Sequence, residues 1–376
     1  MQRKGIFNGK ENSTMKKILC FIDSLGAGGA QRQMVGLAVM LKEKGYNVKV
    51  LVYHDNPFFL QTLEEAHVDV EINHKATKHF SRIYYIYKSI NSFAPDVVIS
   101  YLDTPNIIAS ICKMLGGKFK LIVSERNTTQ KITFLERLKF FLFYFSDFVV
   151  PNSYTQERFI FNNFANLKNK VKTIVNFTDI DYFFSTGKFS FLQQKVIVVV
   201  ASIWPPKNVL GFIEAINILR EKKLNFKVDW YGKTCTHEVY NNLCKNKISQ
   251  YNLKEIIIFH DKTKDIKQVY EFADIFCLPS FYEGTPNALC EAISMGLPVA
   301  CSNVCDNSIY VENGVNGYLF DPYNPNDIAL QLEKLLSLSN CDYERFSINS
   351  RKIAENKLNP NLFIRNYQNL IEELVN

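Results

Sequence analysis

Residues 278–300 read LPSFYEGTPNALCEAISMGLPVA, and this stretch decides the fold. The apolar run at 274–278 predicts a short buried strand that ends in a turn. Thr285 and Pro286 then suit the N-cap and the first position of a helix. A strand, a turn and a helix in this order are typical of a parallel α/β unit.

Two glutamates lie eight positions apart in this stretch, Glu283 in the loop and Glu291 in the second turn of the predicted helix. Helical side chains lean towards the N-terminus, so we expect Glu291 to point into the crevice where open α/β sheets bind ligands. Carboxylates accept hydrogen bonds from ribose or hexose hydroxyls, and a helix N-terminus attracts phosphate. The alternative is an ordinary surface helix with two solvated acids, which the glutamate spacing alone does not exclude.

Strands and helices alternate along the rest of the chain, which predicts two doubly wound parallel sheets. In the first half, strands are predicted at 17–23, 47–53, 96–101, 120–124 and 148–152, with a helix at 31–44. In the second half, strands are predicted at 195–202, 226–232, 252–260, 273–280 and 297–302, with helices at 205–220 and 362–375. Residues 176–194 have weak periodicity and predict a linker between the halves.

Length and composition agree with a globular protein of about two domains. The net charge of +7 is mild, and fits anionic substrates, an acidic membrane surface or simple solubility equally well. Lysines and arginines do not cluster with aromatic residues, which argues against nucleic acid as a partner. The nine cysteines are scattered and odd in number, which favours buried thiols in a reducing compartment.

The N-terminal 14 residues are polar and patternless, and predict a disordered tail with Met15 as a natural start. No apolar run reaches the ~18 residues that a membrane span needs. We therefore expect a cytoplasmic protein, with peripheral contact with the inner face of the plasma membrane left open. Residues 131–150, KITFLERLKFFLFYFSDFVV, fit either an interfacial helix or a core helix. Core packing is favoured, with Lys131, Arg137 and Lys139 as candidates for contact with lipid headgroups.

A glycine-rich turn, LGAGGAQR at 25–32, follows the first strand and opens a helix. Gly26, Gly28 and Gly29 allow a close approach of the backbone to an anion. Gln31 stands where a dinucleotide fingerprint needs its third glycine, which argues against NAD. A tight turn that only needs small residues is the alternative.

A second turn, ASIWPPKN at 201–208, follows the first strand of the second half. Lys207 lies at the start of the predicted helix, where a cation is unfavourable unless an anion lies nearby. This position therefore indicates phosphate binding.

Residues 278–300 resemble the E-x7-E region of retaining family 4 glycosyltransferases. The matching positions are Pro279, Ser280, Glu283, Gly284, Pro286, Asn287, Glu291, Ala292, Gly296, Pro298 and Val299. The resemblance implies the GT-B architecture, two Rossmann-like doubly wound domains facing a cleft. It also implies that Glu283 contacts the transferred sugar and that Glu291 holds the nucleotide ribose, with Gly284, Thr285, Pro286 and Asn287 as further donor-binding residues.

Other segments extend the resemblance over nearly the whole chain after residue 15. The turn at 28–32 is similar to the family's G-G-A-E-R loop near the donor diphosphate and acceptor, which adds Arg32 as a candidate. Lys207 and Asn208 match the family's G-R-x4-K-N pattern, but Ser202 replaces its arginine, and Lys233 is a weakly supported substitute. Glu125 and Arg126, in SERN, are acceptor-side candidates where many members carry a histidine; a salt-bridged loop is the alternative.

The resemblance implies four segments: a tail at 1–14, an acceptor-side domain at 15–185, a donor-binding domain at 186–358, and a C-terminal helix at 359–376 returning to the first domain. The implied enzyme moves a hexose or N-acetylhexosamine from a UDP- or GDP-sugar to a glycan or lipid-linked acceptor of lipopolysaccharide, O-antigen or capsule. No cofactor or metal is implied, because Asp179-Ile-Asp181 lies in the family's linker. A catalytically silent sugar-nucleotide binder and a sugar-nucleotide epimerase remain alternatives.

Overall fold

A computed structural model describes residues 15–75, 79–185, 194–233 and 238–375 of the chain. The predicted tail at 1–14 lies outside the described residues, as does the stretch 186–193 of the predicted linker. Within the described residues, one compact unit comprises the chain up to Ser124 together with Leu138–Phe148 and the chain from Ile371 on. The other unit comprises Glu125–Arg137 and Val149–Leu370.

Two six-stranded sheets carry the fold. The first contains β1 (Lys17–Phe21), β2 (Asn47–Val52), β3 (Asp69–Ile72), β4 (Val97–Tyr101), β5 (Lys120–Glu125) and β6 (Phe148–Pro151). The second contains β7 (Lys195–Val200), β8 (Phe226–Tyr231), β9 (Ile257–His260), β10 (Ile275–Leu278), β11 (Val299–Ser302) and β12 (Gly317–Phe320). Their orders are β3-β2-β1-β4-β5-β6 and β12-β11-β10-β7-β8-β9, one Rossmann pattern read in two directions. The predicted fold class is confirmed.

The described chain contains fourteen α-helices. The first six are α1 (Gly29–Glu43), α2 (Leu60–Glu65), α3 (His79–Phe93), α4 (Asp103–Met114), α5 (Phe134–Phe143) and α6 (Tyr154–Asn163). The others are α7 (Val209–Glu221), α8 (Glu238–Gln250), α9 (Ile266–Glu271), α10 (Asn287–Ser294), α11 (Asn307–Tyr310), α12 (Pro325–Leu336), α13 (Asn340–Lys357) and α14 (Pro360–Val375).

The second sheet is buried on both faces, and its strands divide their side chains between two apolar cores. Ile197 and Val199 of β7 join a core with α7, α8 and α12, whereas Val198 joins a core with α10 and α13. Because successive strand residues point to opposite faces, one short apolar strand serves both cores. The apolar runs that predicted these strands are thus the signature of a doubly covered parallel sheet.

In the first sheet, β1 is almost completely buried, and α1 packs its apolar stripe inward. Met34, Leu37 and Leu41 are fully buried at i, i+3 and i+7 of that helix. The structure also contains strands that we did not predict, β3 and β12, which lie at sheet edges. The strand predicted at 252–260 begins only at Ile257. Asn252 and Leu253 instead close the end of α8, because Asn252 has a positive φ of 53° and the Leu253 N–H donates to the Ile248 carbonyl.

Candidate functional site

The second sheet has its topological switch point between β7 and β10. These strands are neighbours, but the chain continues from β7 to β8 on one side and from β10 to β11 on the other. The loops that follow β7 and β10 therefore diverge and leave a crevice, the usual ligand position in open α/β sheets. Lys207 lies in the first loop and Glu283 in the second.

Lys207 and Glu283 form an ion pair across the two loops. The Lys207 Nζ donates to Glu283 Oε1 at 2.5 Å, and the side chains are 24% and 11% exposed. A backbone hydrogen bond from the Phe281 N–H to the Pro206 carbonyl, 2.9 Å long, holds the loops together beside the pair. Sequence alone indicated both residues, but the structure shows that they meet.

The loop after β7 differs from the predicted helix at 205–220. Pro205–Lys207 forms a 3₁₀ turn, and helix α7 begins only at Val209. Asn208 separates the 3₁₀ turn from α7, because its φ of 54° lies in the left-handed region, which asparagine tolerates. The Asn208 Nδ2 donates to the Pro322 carbonyl at 2.7 Å. Asn208, which we predict to contact the sugar nucleotide, therefore also anchors the loop.

Helix α10 starts at Asn287 with Pro286 as its N-cap, one residue later than predicted. Thr285 does not cap the helix, because its Oγ1 donates to the Asn152 carbonyl. Gly284 runs close to the same asparagine, and a Cβ there would lie 3.4 Å from Asn152 Oδ1. Thr285 thus ties the loop to Asn152 directly after Gly284.

Glu291 is buried on α10, with 5% of its surface exposed. Its Oε2 accepts a hydrogen bond from the Tyr270 hydroxyl at 3.0 Å, and Tyr270 is itself fully buried. A hydroxyl donor therefore already faces this carboxylate. Sequence analysis missed Tyr270, and nothing in its local pattern marks it.

Arg126 and Asn287 are connected through Asn176, which sequence analysis did not single out. The Arg126 Nη1 donates to Asn176 Oδ1 at 2.9 Å, and the Asn176 Nδ2 donates to Asn287 Oδ1 at 2.8 Å. Arg126 also donates to the Tyr367 hydroxyl at 3.2 Å and is 8% exposed. Through Asn176, these hydrogen bonds link the Arg126 guanidinium to the first residue of α10.

Glu125 is more deeply buried than its neighbour, at 1% exposure. The Gln156 Nε2 approaches its Oε2 at 3.4 Å and donates to Thr129 Oγ1 at 2.9 Å. Thr128 lies between Glu125 and Thr129 in sequence, and its hydroxyl donates to the Glu283 carbonyl at 2.8 Å. The segment 125–129 is therefore bonded to the Glu283 loop.

The glycine turn of the first sheet lies after β1, in the other unit. Gly28 is the N-cap of α1, its N–H donates to the Gly26 carbonyl at 2.8 Å, and its own carbonyl accepts from the Arg32 N–H. Helix α1 begins at Gly29 and has no acidic residue in its first turn. These features leave a helix N-terminus suited to an anion.

Comparison with known proteins identifies the class of enzyme. Residues 184–353 match the family model described as glycosyl transferases group 1. A GalNAc-α-(1→4)-GalNAc-α-(1→3)-diNAcBac-PP-undecaprenol α-1,4-N-acetyl-D-galactosaminyltransferase of Campylobacter jejuni is 26% identical over 90% of this chain and 93% of its own.

The chain is a glycosyltransferase, and its residues 184–353 are similar to the group 1 enzymes. The predicted resemblance and the predicted enzyme class are therefore confirmed. A UDP-Gal:α-D-GlcNAc-diphosphoundecaprenol α-1,3-galactosyltransferase of Escherichia coli is 30% identical, but over only 40% of this chain and 41% of its own. The solved structure of Anabaena HepE in complex with UDP has a TM-score of 0.83 at 17% identity, and covers 95% of this chain and 100% of its own.

The glycosyltransferase departs from its family pattern at Ser202, an exposed residue in the loop after β7. The backbone beside it is paired with the end of β8, because the Ile203 N–H donates to the Lys233 carbonyl at 3.0 Å. Lys233 is exposed and lies in the strand-end loop next to Ser202. This backbone hydrogen bond therefore places Lys233, a cation, next to Ser202.

The cysteines near Glu283 are poor candidates for metal binding. Burial, with a further contribution from the Glu283 carboxylate, raises the pKa of the Cys301 thiol well above its usual range. Burial likewise raises the pKa of Cys305. Burial thus disfavours the thiolate form that a metal ligand requires. Among the described residues, no group of three or more His, Cys, Asp or Glu side chains could hold a metal ion.

Among the described helices, none combines the length and the apolar character that crossing a bilayer needs.

Proposed function

We propose that this glycosyltransferase is a retaining, metal-independent enzyme that transfers a hexose or N-acetylhexosamine from a UDP-sugar to a lipid-linked glycan in surface polysaccharide synthesis. The Lys207–Glu283 pair at the switch point of the second sheet carries the proposal. The acceptor class follows the named acceptors of the relatives, which are diphosphoundecaprenol-linked sugars.

The ion pair matches the two halves of a nucleotide-sugar donor. Lys207 supplies a cation for the diphosphate, and Glu283 supplies acceptors for sugar hydroxyls. In the ion pair each group satisfies the other, since a largely buried charge without a partner is costly. Donor binding would exchange these partners, with the diphosphate taking Lys207 and the hexose hydroxyls taking Glu283.

The proposed reaction needs no protein nucleophile. The bond between the anomeric carbon and the diphosphate oxygen breaks, and the acceptor oxygen bonds to the same face of that carbon. The acceptor proton passes to the leaving phosphate oxygen. Lys207 offsets the negative charge that develops on the diphosphate, and Glu283 offsets the positive charge on the sugar.

The other site residues would bind and position the donor. Glu291 would accept a hydrogen bond from a ribose hydroxyl and keep the hydrogen bond that it accepts from the Tyr270 hydroxyl. Ser202, Asn208, Gly284, Thr285, Pro286 and Asn287 would line the donor, and Gly26, Gly28 and Gly29 would approach its phosphates. Glu125, Arg126 and Arg32 would serve the acceptor side.

A silent sugar-nucleotide binder is the second candidate, favoured by the serine at position 202. The loop lacks one cation that the family uses for the leaving group, so binding without turnover is a coherent outcome. Lys233 is the residue that would supply the missing charge, given its place beside Ser202.

The test is nucleotide release from a panel of UDP- and GDP-sugars, with membrane lipid extract as acceptor. We expect lipid-dependent release from one UDP-sugar. Glu291→Ala should weaken UDP binding about tenfold or more, because a charged hydrogen-bond acceptor is lost. Glu283→Ala should keep UDP affinity and lower turnover by about 100-fold.

Glu344→Ala, which removes an exposed acid of α13, is the matched control and should behave as wild type. Calorimetry measures UDP binding separately from turnover. Equal losses of UDP affinity in Glu283→Ala and Glu291→Ala would contradict the division of roles. Binding without release from any donor would favour the silent binder, release from a GDP-sugar would correct the nucleotide, and acceptor-independent isomerisation of the sugar would favour an epimerase.

A further inference from the structure

Helix α5 and its flanks expose an unusual number of large apolar side chains. Phe134, Leu135 and Phe141 are 79%, 72% and 58% exposed. The α5 apolar surface comprises these residues and three less exposed ones: Ile132, Leu138 and Tyr144. A single exposed apolar residue is ordinary, but six within thirteen positions mark an interaction site.

The exposed residues share one side of the helix. Phe134, Leu138 and Phe141 follow each other at i, i+4 and i+7, so they form a stripe. Phe140 and Phe143 lie on the opposite side and are buried. The packing that the sequence favoured for this helix uses only that second side, and a second apolar face remains exposed.

Basic residues border the α5 apolar surface. Lys131 and Arg137 are exposed, and Glu136, the one acid in residues 131–145, is half-buried. Lys139 does not belong to this border, because its Nζ pairs with Asp103 at 3.2 Å and its side chain is 5% exposed. The expectation that Lys139 contacts headgroups is therefore wrong, whereas Lys131 and Arg137 can face an anionic surface.

The dimensions of α5 suit a helix that lies in the plane of a membrane. Ten residues rise about 15 Å, half of the ~30 Å hydrocarbon core. An apolar stripe, two cations and an exposed tyrosine are the composition of an interfacial helix, in which aromatic rings sit at headgroup level. The basic border complements the negative charge of an anionic leaflet.

We propose that the α5 apolar surface docks the enzyme onto an anionic lipid leaflet, an inference that rests on the proposed lipid-linked acceptor. The helix begins eight residues after Arg126, and the intervening segment is tied to the Glu283 loop by Thr128. Phe134, Leu138 and Phe141 enter the acyl boundary, and Lys131 and Arg137 contact headgroups. Docking there brings a membrane-anchored glycan to the chain segment that adjoins the candidate site.

The test is sedimentation of the full chain with vesicles of phosphatidylglycerol and phosphatidylethanolamine. The triple variant Phe134→Ser/Leu138→Ser/Phe141→Ser should partition roughly 100-fold more weakly than wild type, because three large apolar side chains no longer enter the bilayer. Val239→Ser/Leu243→Ser/Leu330→Ser is the matched control, since these apolar residues are also exposed, at 68%, 51% and 46%. The control should bind as wild type does.

The basic border is tested separately. Lys131→Gln/Arg137→Gln should weaken binding to the phosphatidylglycerol vesicles about tenfold, and should leave binding to neutral phosphatidylcholine vesicles unchanged. Equal vesicle binding by wild type and the apolar triple variant would overturn the proposal. A wild-type dimer in sedimentation equilibrium that the triple variant abolishes would also overturn it, because the surface would then join two copies.

A failure of the docking surface can be told apart from a failure of the proposed function. The apolar triple variant should keep wild-type UDP affinity and wild-type transfer to a short-chain, water-soluble acceptor, while it loses transfer to the same glycan on a vesicle-anchored lipid. Vesicle binding by wild type without transfer from any donor would sink the proposed function and still support the surface. Full transfer to the vesicle-anchored acceptor by the triple variant would sink the docking role alone.

Discussion

The loops after β1 and β7 occupy the same place in the two sheets but are constrained by different atoms. After β7, the neighbouring Gly232 lies so close to the chain that a Cβ there would be 2.0 Å from the Ala201 carbonyl oxygen. After β1, a Cβ on Gly28 would be 2.1 Å from Gln31 Oε1, the end of a flexible side chain. Backbone atoms therefore constrain the loop after β7, whereas a movable side chain constrains the loop after β1.

This difference indicates which of the two loops can tolerate change. The loop after β7 holds its cation in a setting of backbone contacts, including the bonds between Ile203 and Lys233 and between Phe281 and Pro206. The loop after β1 is lined by Gln31, whose Nε2 donates to Asp23 at 2.9 Å. We therefore expect changes after β7 to be costly and changes after β1 to be mild.

Removal of the cation after β7 should have the largest effect. We expect Lys207→Ala to lower transfer from the donor found in the panel by about 100-fold or more, because the leaving diphosphate loses its positive partner. Lys254→Ala, at an exposed position, is the control. Thermal unfolding checks that the loss is not a folding defect, since Glu283 loses its partner too. Retention of more than a tenth of wild-type transfer by a folded Lys207→Ala would remove Lys207 from the proposed role.

The backbone constraint after β7 should give the second largest effect. Gly232→Ala should lower the free energy of unfolding by about 2 kcal/mol, because Ala201 or Gly232 must move to admit the methyl group. Urea denaturation measures this change, and calorimetry should show weaker UDP binding in the same variant. A stability within about 0.5 kcal/mol of wild type, an ordinary surface effect, would show that the loop after β7 can relax as easily as the loop after β1.

Local sequence predicted the parts of the site that depend on local structure. The strand, turn and helix of residues 274–294 are predictable because a buried strand is apolar throughout and Gly-Thr-Pro separates it from the helix. Glu283 and Lys207 were also indicated separately. Their contact could not be predicted from spacing, since they lie 76 residues apart and meet only when β7 and β10 become neighbours.

The residues that sequence missed contact the site through tertiary structure. Tyr270 reaches Glu291 from 21 positions away, and Asn176 reaches Asn287 from 111 positions away. Neither has a periodicity or motif that announces the contact. For α5 the sequence left an interfacial helix and a core helix both open, because an apolar residue type does not show whether its side chain packs inside or faces outward.

The smallest effect should come from the loop after β1. Gly28→Ala should lower the free energy of unfolding by only about 0.5–1 kcal/mol, because Gln31 can rotate away and the cost is one hydrogen bond to Asp23. A double-mutant cycle tests this reason directly. If the bond is the whole cost, Gly28→Ala should cause no further loss in a Gln31→Ala background, and urea denaturation of the four proteins measures the coupling. An equal loss in both backgrounds would instead mean that backbone constrains the loop after β1 as well, and the contrast between the two loops would disappear.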